Sequence, residues 1–402
     1  MWPLFFIHPP KSGGSSVLSF FEINAEKGAF TRFVWDAPGW PNRLDELRIT
    51  KRGGGHQSYG FHRVARMPFD YVVVLRDPLK RQVSQYWYAV TGKNGDAEAL
   101  ASISHAEALA RSGAISLDDW VGGSHDGGNI FVKMITGHDV VNDDSLRLAC
   151  ENIERRFTWA GCCEDLSQFL LLLCAKSNLD LPFYSTTNVT NKSNKSKVEV
   201  SRDAANKFIM DNALDYKLYE FVKARVEREV ERGGATYQEA IALVRTIQKK
   251  IDSLDNPHRF TSSEHGFDSS YLQQVRDLIR GFDLSPINSF LERKRVEREE
   301  LTEYFDGVVD TVEGDFVGGW AVNLADPGRE VPLEIYVDGK VVASGVTGLE
   351  RRDVMEAGYK SARTGFAIKL PPAAQNAFTI RIGGSAETIR NGGKWARGWH
   401  RA

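Results

Sequence analysis

From the N-terminus to about residue 180, short apolar runs alternate with stretches of helical period, the pattern of a parallel sheet threaded with helices. Leu4–Ile7, Thr31–Trp35, Asp70–Leu75 and Phe157–Cys162 are the strand candidates, and Leu166–Cys174 reads as a helix. Tyr71-Val72-Val73-Val74-Leu75 is a continuous apolar run rich in β-branched residues, as a strand buried on both faces requires. Residues 182–197 turn polar and predict a loop. From Ser201 to about Phe305 the period is helical: Tyr219, Val222, Val226 and Val230 recur at three- and four-residue steps. Ile241, Val244, Ile247, Ile251 and Leu254 do the same after a break at Gly233-Gly234. A further helix ends in the charged run Glu292–Glu300, a solvated face or inter-domain strut. Beyond Phe305 the period shortens. Val331–Val337 and Lys340–Val346 flank Asp338-Gly339, a dipeptide suited to a type I′ hairpin turn, and Phe366–Leu370 and Phe378–Ile382 add strands. The expected architecture is α/β, a parallel sheet flanked by helices (1–232), then a helical extension (233–304) and a small all-β unit (305–402).

A length of 402 residues suits two or three such units, and 42% hydrophobic with 26% charged residues suits a soluble globular chain. The net charge of −2 speaks against a general nucleic-acid binder, so an anion site has to be local. No apolar run approaches the ~20 residues that span a bilayer. Met1–Ile7 lacks a preceding basic segment and reads as a first strand rather than a signal peptide. Cys150, Cys162, Cys163 and Cys174 lack metal-ligand spacing and predict reduced thiols in a cytoplasmic protein. The Asn-x-Ser/Thr triplets beginning at Asn188, Asn191 and Asn194 then read as ordinary polar loop.

Three segments carry chemistry. Phe6-Ile7-His8-Pro9-Pro10-Lys11-Ser12-Gly13-Gly14-Ser15-Ser16 runs from a strand through a glycine turn into a helix start at Val17–Phe21. Such a junction turns backbone N–H groups and the positive helix end toward an anion, and Lys11 adds a mobile charge. It is not a Walker A loop, because Lys11 precedes both glycines. Taken alone, it also reads as a plain strand–turn–helix connection with a surface lysine. In the second segment, Val72–Leu75 leads into Arg76-Asp77-Pro78 and then a helix carrying Arg81, Ser84 and Tyr86. Asp77 suits the cap and Pro78 the first turn, which leaves Arg76 at a strand's C-terminal edge, where open α/β sheets bind ligands. The third is Arg52-Gly53-Gly54-Gly55-His56-Gln57-Ser58-Tyr59-Gly60-Phe61-His62.

Together these segments resemble sulfotransferases that use 3′-phosphoadenosine 5′-phosphosulfate (PAPS), particularly carbohydrate-directed ones. Pro10–Ser16 looks like their 5′-phosphosulfate loop, which implies nucleotide contacts from Lys11, Ser12, Gly13, Gly14, Ser15 and Ser16. Arg76 and Ser84 match the pair that grips the 3′-phosphate. Gly55-His56 through Phe61-His62 is similar to the stretch that holds the proposed catalytic base of glycan 2-O-sulfotransferases, which implies His56, with His62 as competitor. Relatives often carry a second histidine where this chain has Gly54. Phe157–Asp165 and Asp215–Glu220 match fold elements of the same family, and Lys192, Lys195 and Lys197 fall where relatives close a loop over the nucleotide.

The resemblance implies a P-loop-like domain over 1–232, sulfuryl transfer from PAPS to a hydroxyl of a carbohydrate or glycolipid, PAP as product and no metal. Animal relatives carry a membrane anchor before the first loop, and this chain starts at the first strand, so a cytoplasmic bacterial enzyme is expected. Gly319-Trp320, Arg352-Asp353-Val354 and Gly365-Phe366 resemble a β-sandwich appended to bacterial glycan-modifying enzymes, with Trp395 and Trp399 as candidate glycan contacts. The rival readings are a P-loop-like small-molecule kinase and an inactive glycan-binding protein. Neither the acceptor nor the oligomeric state, a homo-oligomer included, is legible in the sequence.

Overall fold

A strand buried on both faces must send successive side chains into two different cores, and the first half of the chain is built that way. The computed structural model describes residues 2–24, 30–33, 40–91, 104–186, 199–257, 268–296, 303–374, 377–390 and 395–396. Five parallel strands, β1 (Leu4–Ile7), β2 (Thr31–Phe33), β3 (Arg52–Gly55), β4 (Asp70–Leu75) and β5 (Phe157–Cys162), form one sheet in the order β2-β3-β1-β4-β5. Four match the strands expected from the sequence, and the last two residues expected in β2, Val34 and Trp35, lie outside the described residues. The fifth, β3, is a strand that the apolar pattern does not reveal, since three of its four residues are glycine.

Leu4, Phe6, Val72, Val74 and Trp159 face one core, and Phe5, Ile7, Tyr71, Val73, Leu75, Phe157 and Ala160 face the other. Helices cover both sides. In chain order they are α1 (Gly14–Ile23), α2 (Trp40–Thr50), α3 (Phe61–Ala65), α4 (Pro78–Thr91), α5 (His105–Ser112), α6 (Leu117–Gly122), α7 (Ile130–Thr136), α8 (Asp143–Arg155), α9 (Leu166–Lys176), α10 (Arg202–Asp211), α11 (Ala213–Ile251), α12 (Ser269–Arg280) and α13 (Ser285–Val296). The first core takes α1, α9, the second half of α11, α12 and α13. The second takes α3, α7, α8 and the first half of α11.

The Gly233-Gly234 break lies inside α11, where Gly234 adopts φ 57° and ψ −143°. The kink lets one helix serve both cores: Leu218 and Val222 pack below the sheet, Ile241 and Val244 above it. Residues 237–251 and 271–291, inside the stretch read from its period as a helical extension (233–304), thus contribute to one core with β1 and β4.

The last hundred residues hold two small antiparallel sheets. One has the order β10-β7-β6, from β6 (Phe305–Glu313), β7 (Phe316–Asn323) and β10 (Gly365–Lys369). The other has the order β12-β11-β8-β9, from β8 (Pro332–Val337), β9 (Lys340–Val346), β11 (Ala377–Ile382) and β12 (Trp395–Ala396). Asp338 (φ 49°) and Gly339 (φ 77°) make the hairpin turn with both central residues left-handed, as a type I′ turn requires. Val317, Leu333, Ile335, Phe366 and Ile380, drawn from both sheets, belong to one apolar cluster. No helix among the described residues is long and apolar enough to cross a membrane. The segment with Lys192, Lys195 and Lys197 lies outside the described residues, as do its Asn-x-Ser/Thr triplets and Trp399.

Candidate functional site

Three neighbouring strand ends define the site. Ile7 pairs with Gly55 on one side and with Val73 on the other, so the chain leaves β3, β1 and β4 at the same edge of the sheet. Because strand order changes direction about β1, this edge is the crevice where such sheets hold ligands. His8 and the loop to Ser16 follow β1, His56 follows β3 and Arg76 follows β4. Every segment singled out for its chemistry therefore converges here.

The loop after β1 is bent by left-handed backbone at Lys11 (φ 65°) and Gly13 (φ 79°). Only the second is a glycine, so Lys11 holds a conformation that an L-residue adopts at a cost. Arg76 offsets it, donating from Nη1 to the Lys11 carbonyl at 2.9 Å. That bond joins the two strand ends directly. The Lys11 ammonium lies over the Tyr88 ring, 3.5 Å from its centroid. Tyr88 is one helical turn beyond Ser84, so the loop crosses α4 on the face that carries this serine.

Gly13 caps α1 without any side-chain hydrogen bond, and no acidic residue occupies the first turn. Gly13 thus brings no side chain of its own to the positive helix end, an arrangement suited to anion binding. Ser16 turns its N–H to the Gly13 carbonyl (3.1 Å) and is buried, whereas Ser15 is half-buried. Ser12 is fully buried, donates its N–H to the Pro9 carbonyl (3.3 Å), and its Oγ has no hydrogen-bond partner among the described residues.

His56 is held by its neighbour strand. Its Nδ1 lies 2.7 Å from the His8 carbonyl. A carbonyl only accepts, so Nδ1 carries the proton and, in the neutral ring, Nε2 keeps the lone pair. This is the tautomer a general base needs. His62 is placed quite differently. It is fully buried, its Nδ1 accepts from the Tyr71 hydroxyl (2.9 Å) and its Nε2 donates to the Phe305 carbonyl (3.2 Å). Burial, reinforced by the Arg63 charge, holds its pKa well below the ordinary imidazole range. Both ring nitrogens are committed, so His62 has no lone pair for a hydroxyl in the crevice.

Asp77 accepts the Lys80 N–H at 2.8 Å, the cap foreseen for α4, and Glu164 at the end of β5 accepts the Asp77 N–H at 2.9 Å. The four cysteines are free thiols, and burial raises the pKa of Cys163, which packs under Gly13, to about 12. Two residues at the site escaped the sequence reading, His8 and Tyr88. Both sit inside quoted motifs, but only the register of β1 against β3 and the path of the loop over α4 give them partners. No known family model matches this chain, and none of the curated proteins compared with it matches either.

Proposed function

We propose that this protein is a PAPS-dependent sulfotransferase acting on a hydroxyl of a carbohydrate or glycolipid, with a P-loop-like nucleotide domain and a β-sandwich accessory domain. The observation that carries the reading is the Arg76–Lys11 hydrogen bond. It puts the loop suited to a 5′-phosphosulfate beside the guanidinium suited to a 3′-phosphate, so that one nucleotide can engage both strand ends. The residues fit such a ligand: an uncapped helix end, a lysine on the same loop, and a forked donor with a serine on the facing helix.

The bound nucleotide supplies an activated sulfuryl group. His56 Nε2 takes the proton from the acceptor hydroxyl as its oxygen forms the new bond to sulfur. The sulfur–oxygen bond to the 5′-phosphate breaks, and the electron pair stays on the phosphate oxygen. Lys11 and the first turn of α1 stabilise that growing negative charge. Moving Lys11 from the face of Tyr88 to the phosphosulfate exchanges a cation–π contact for an ion pair.

Titration calorimetry with 3′-phosphoadenosine 5′-phosphate, ATP and ADP tests this directly. Tight binding confined to the 3′-phosphorylated nucleotide is expected, and a preference for ATP would replace the reading with a small-molecule kinase. A screen of glycan acceptors with labelled PAPS then identifies the acceptor. Glycan binding without turnover in that screen would favour an inactive lectin-like protein.

A further inference from the structure

Lys11 is tied to the far side of the crevice through its backbone and through its side chain. Its carbonyl accepts from Arg76 Nη1 at 2.9 Å, and its ammonium lies 3.5 Å from the centroid of the Tyr88 ring. With the backbone held in the left-handed region (φ 65°), the part free to swing is the flexible stem that carries the charge. The ring is the steadier partner. It belongs to α4, and Ala89 on the same helix is buried with Trp120 and Val121 in an apolar cluster of its own. Lys11 and Tyr88 are both half-buried, and a cation–π contact gains strength as water is excluded from it.

The reaction asks for this ammonium elsewhere. Tyr88 stands one helical turn beyond Ser84, on the side of the crevice assigned to the 3′-phosphate. The oxygen that leaves with the electron pair belongs at the first turn of α1. One ammonium serves both places only by moving. We propose that Tyr88 is a second seat for Lys11, and that the contact with its ring competes with the 5′-phosphate end of the nucleotide for this one charge. The inference rests on the sulfotransferase reading and gives a role to a residue for which that reading has no step. A contact that must be broken before Lys11 reaches the 5′-phosphate weakens nucleotide binding by its own free energy. The product keeps both anionic ends, so both strand ends still hold it after transfer. A seat to which Lys11 returns loosens one of these grips, and Tyr88 thereby sets how firmly product is retained.

Calorimetry with two nucleotides isolates the effect. Adenosine 3′-phosphate lacks the 5′ group and leaves Lys11 on the ring, so its affinity should be the same in wild type and Tyr88→Leu. 3′-Phosphoadenosine 5′-phosphate should bind Tyr88→Leu about three- to thirtyfold more tightly than wild type, the range expected of one such contact. Tyr88→Phe keeps the ring and should bind it as wild type does. In a Lys11→Met background the Leu substitution should change nothing, because the pair then has only one member. A variant that merely loosened α4 would weaken both nucleotides instead of strengthening one. Unchanged or weaker binding of the bisphosphate by Tyr88→Leu, or a Phe variant that follows the Leu variant, would overturn the proposal. The position of the ammonium is read separately in ¹³C-lysine-labelled protein, with the Lys11 signals assigned through Lys11→Met. The ring should move the Lys11 ε-methylene protons upfield in wild type and Tyr88→Phe but not in Tyr88→Leu, and saturating bisphosphate should return them to their ordinary position. An upfield shift that persists in the bisphosphate complex means that one place serves both partners, and the proposal then falls while the sulfotransferase reading stands. A wild type that binds no 3′-phosphorylated nucleotide sinks both.

Discussion

Arg76 joins the two strand ends with its guanidinium, Nη1 holding the Lys11 carbonyl. Arg76→Ala should weaken binding of 3′-phosphoadenosine 5′-phosphate by about 2 kcal/mol, roughly thirtyfold in Kd by calorimetry, through loss of a charge-assisted phosphate contact. Arg76→Lys should recover only part of this, since an ammonium lacks the planar fork. His56→Ala should separate the two functions, lowering kcat by roughly a hundredfold or more and leaving nucleotide affinity nearly intact. Wild-type turnover in that variant would move the base to a carboxylate, because His62 is sealed beneath Tyr71 and Phe305. Lys11, Arg76 and His56 were legible in the sequence because each stands at a junction where a strand ends and a turn or helix begins. The bond from His56 to the His8 carbonyl was not, since it depends on how neighbouring strands pair.

The same limit explains β3. Arg52-Gly53-Gly54-Gly55 has neither the alternation nor the apolar run that marks a strand, and glycine disfavours strands for reasons of entropy. Its composition answers a steric demand from next door: a Cβ at Gly54 would lie 2.2 Å from the Phe6 carbonyl oxygen, a backbone atom that cannot move aside. Gly54→Ala should therefore cost on the order of 3 kcal/mol in urea denaturation and displace His56 along with the strand. A second element-scale device is Asp215 on α11, which accepts the N–H groups of Phe131 (3.1 Å) and Val132 (2.9 Å) at the start of α7. Asp215–Glu220 matched a family helix in the sequence, but a cap supplied from over eighty residues away has no local signature. Burial pushes the Asp215 carboxyl up from 3.8 to about 7, against the pull of those two N–H groups and Arg81. Between these values the unfolded chain releases this proton and the folded one keeps it, so the contribution to stability falls as pH rises. The full difference is about 4 kcal/mol. Asp215→Asn cannot ionise, so its stability by urea denaturation should change less between pH 4 and 7 than that of wild type.

At the scale of the whole molecule, a sheltered group of charges beside the segment that carries His56 ties the β-rich C-terminal region to the parallel-sheet region. Arg63 on α3 donates from Nη2 to Glu387 Oε1 at 2.5 Å, while Arg156 reaches Glu387 Oε2 at 3.7 Å and Glu303 Oε2 at 3.2 Å. Glu387 and Arg156 expose only 4% and 3% of their side chains, so these charges depend on one another rather than on water. His62 adds its bond to the Phe305 carbonyl, and Tyr304 packs into the lower core of the sheet. Nothing in the local sequence pairs residues 63 and 387; a break in period near Phe305 reveals a new unit but not its docking. Glu387→Gln keeps the shape and removes the charge, leaving Arg156 with Glu303 and Arg63 with the charge of Asp306. Removing one partner of a buried pair typically costs about 3–5 kcal/mol, and denaturant midpoints should fall accordingly. The loss should also reach the site. Arg63 and His62 follow His56 by seven and six residues, and the C-terminal region is what fixes their end of that segment. Sulfuryl-transfer turnover in Glu387→Gln, measured well below its unfolding midpoint, should therefore drop while binding of the 3′-phosphorylated nucleotide, which depends on β1 and β4, stays close to wild type. Turnover and binding falling together would show that Glu387 supports the parallel-sheet region as a whole rather than the segment that carries His56.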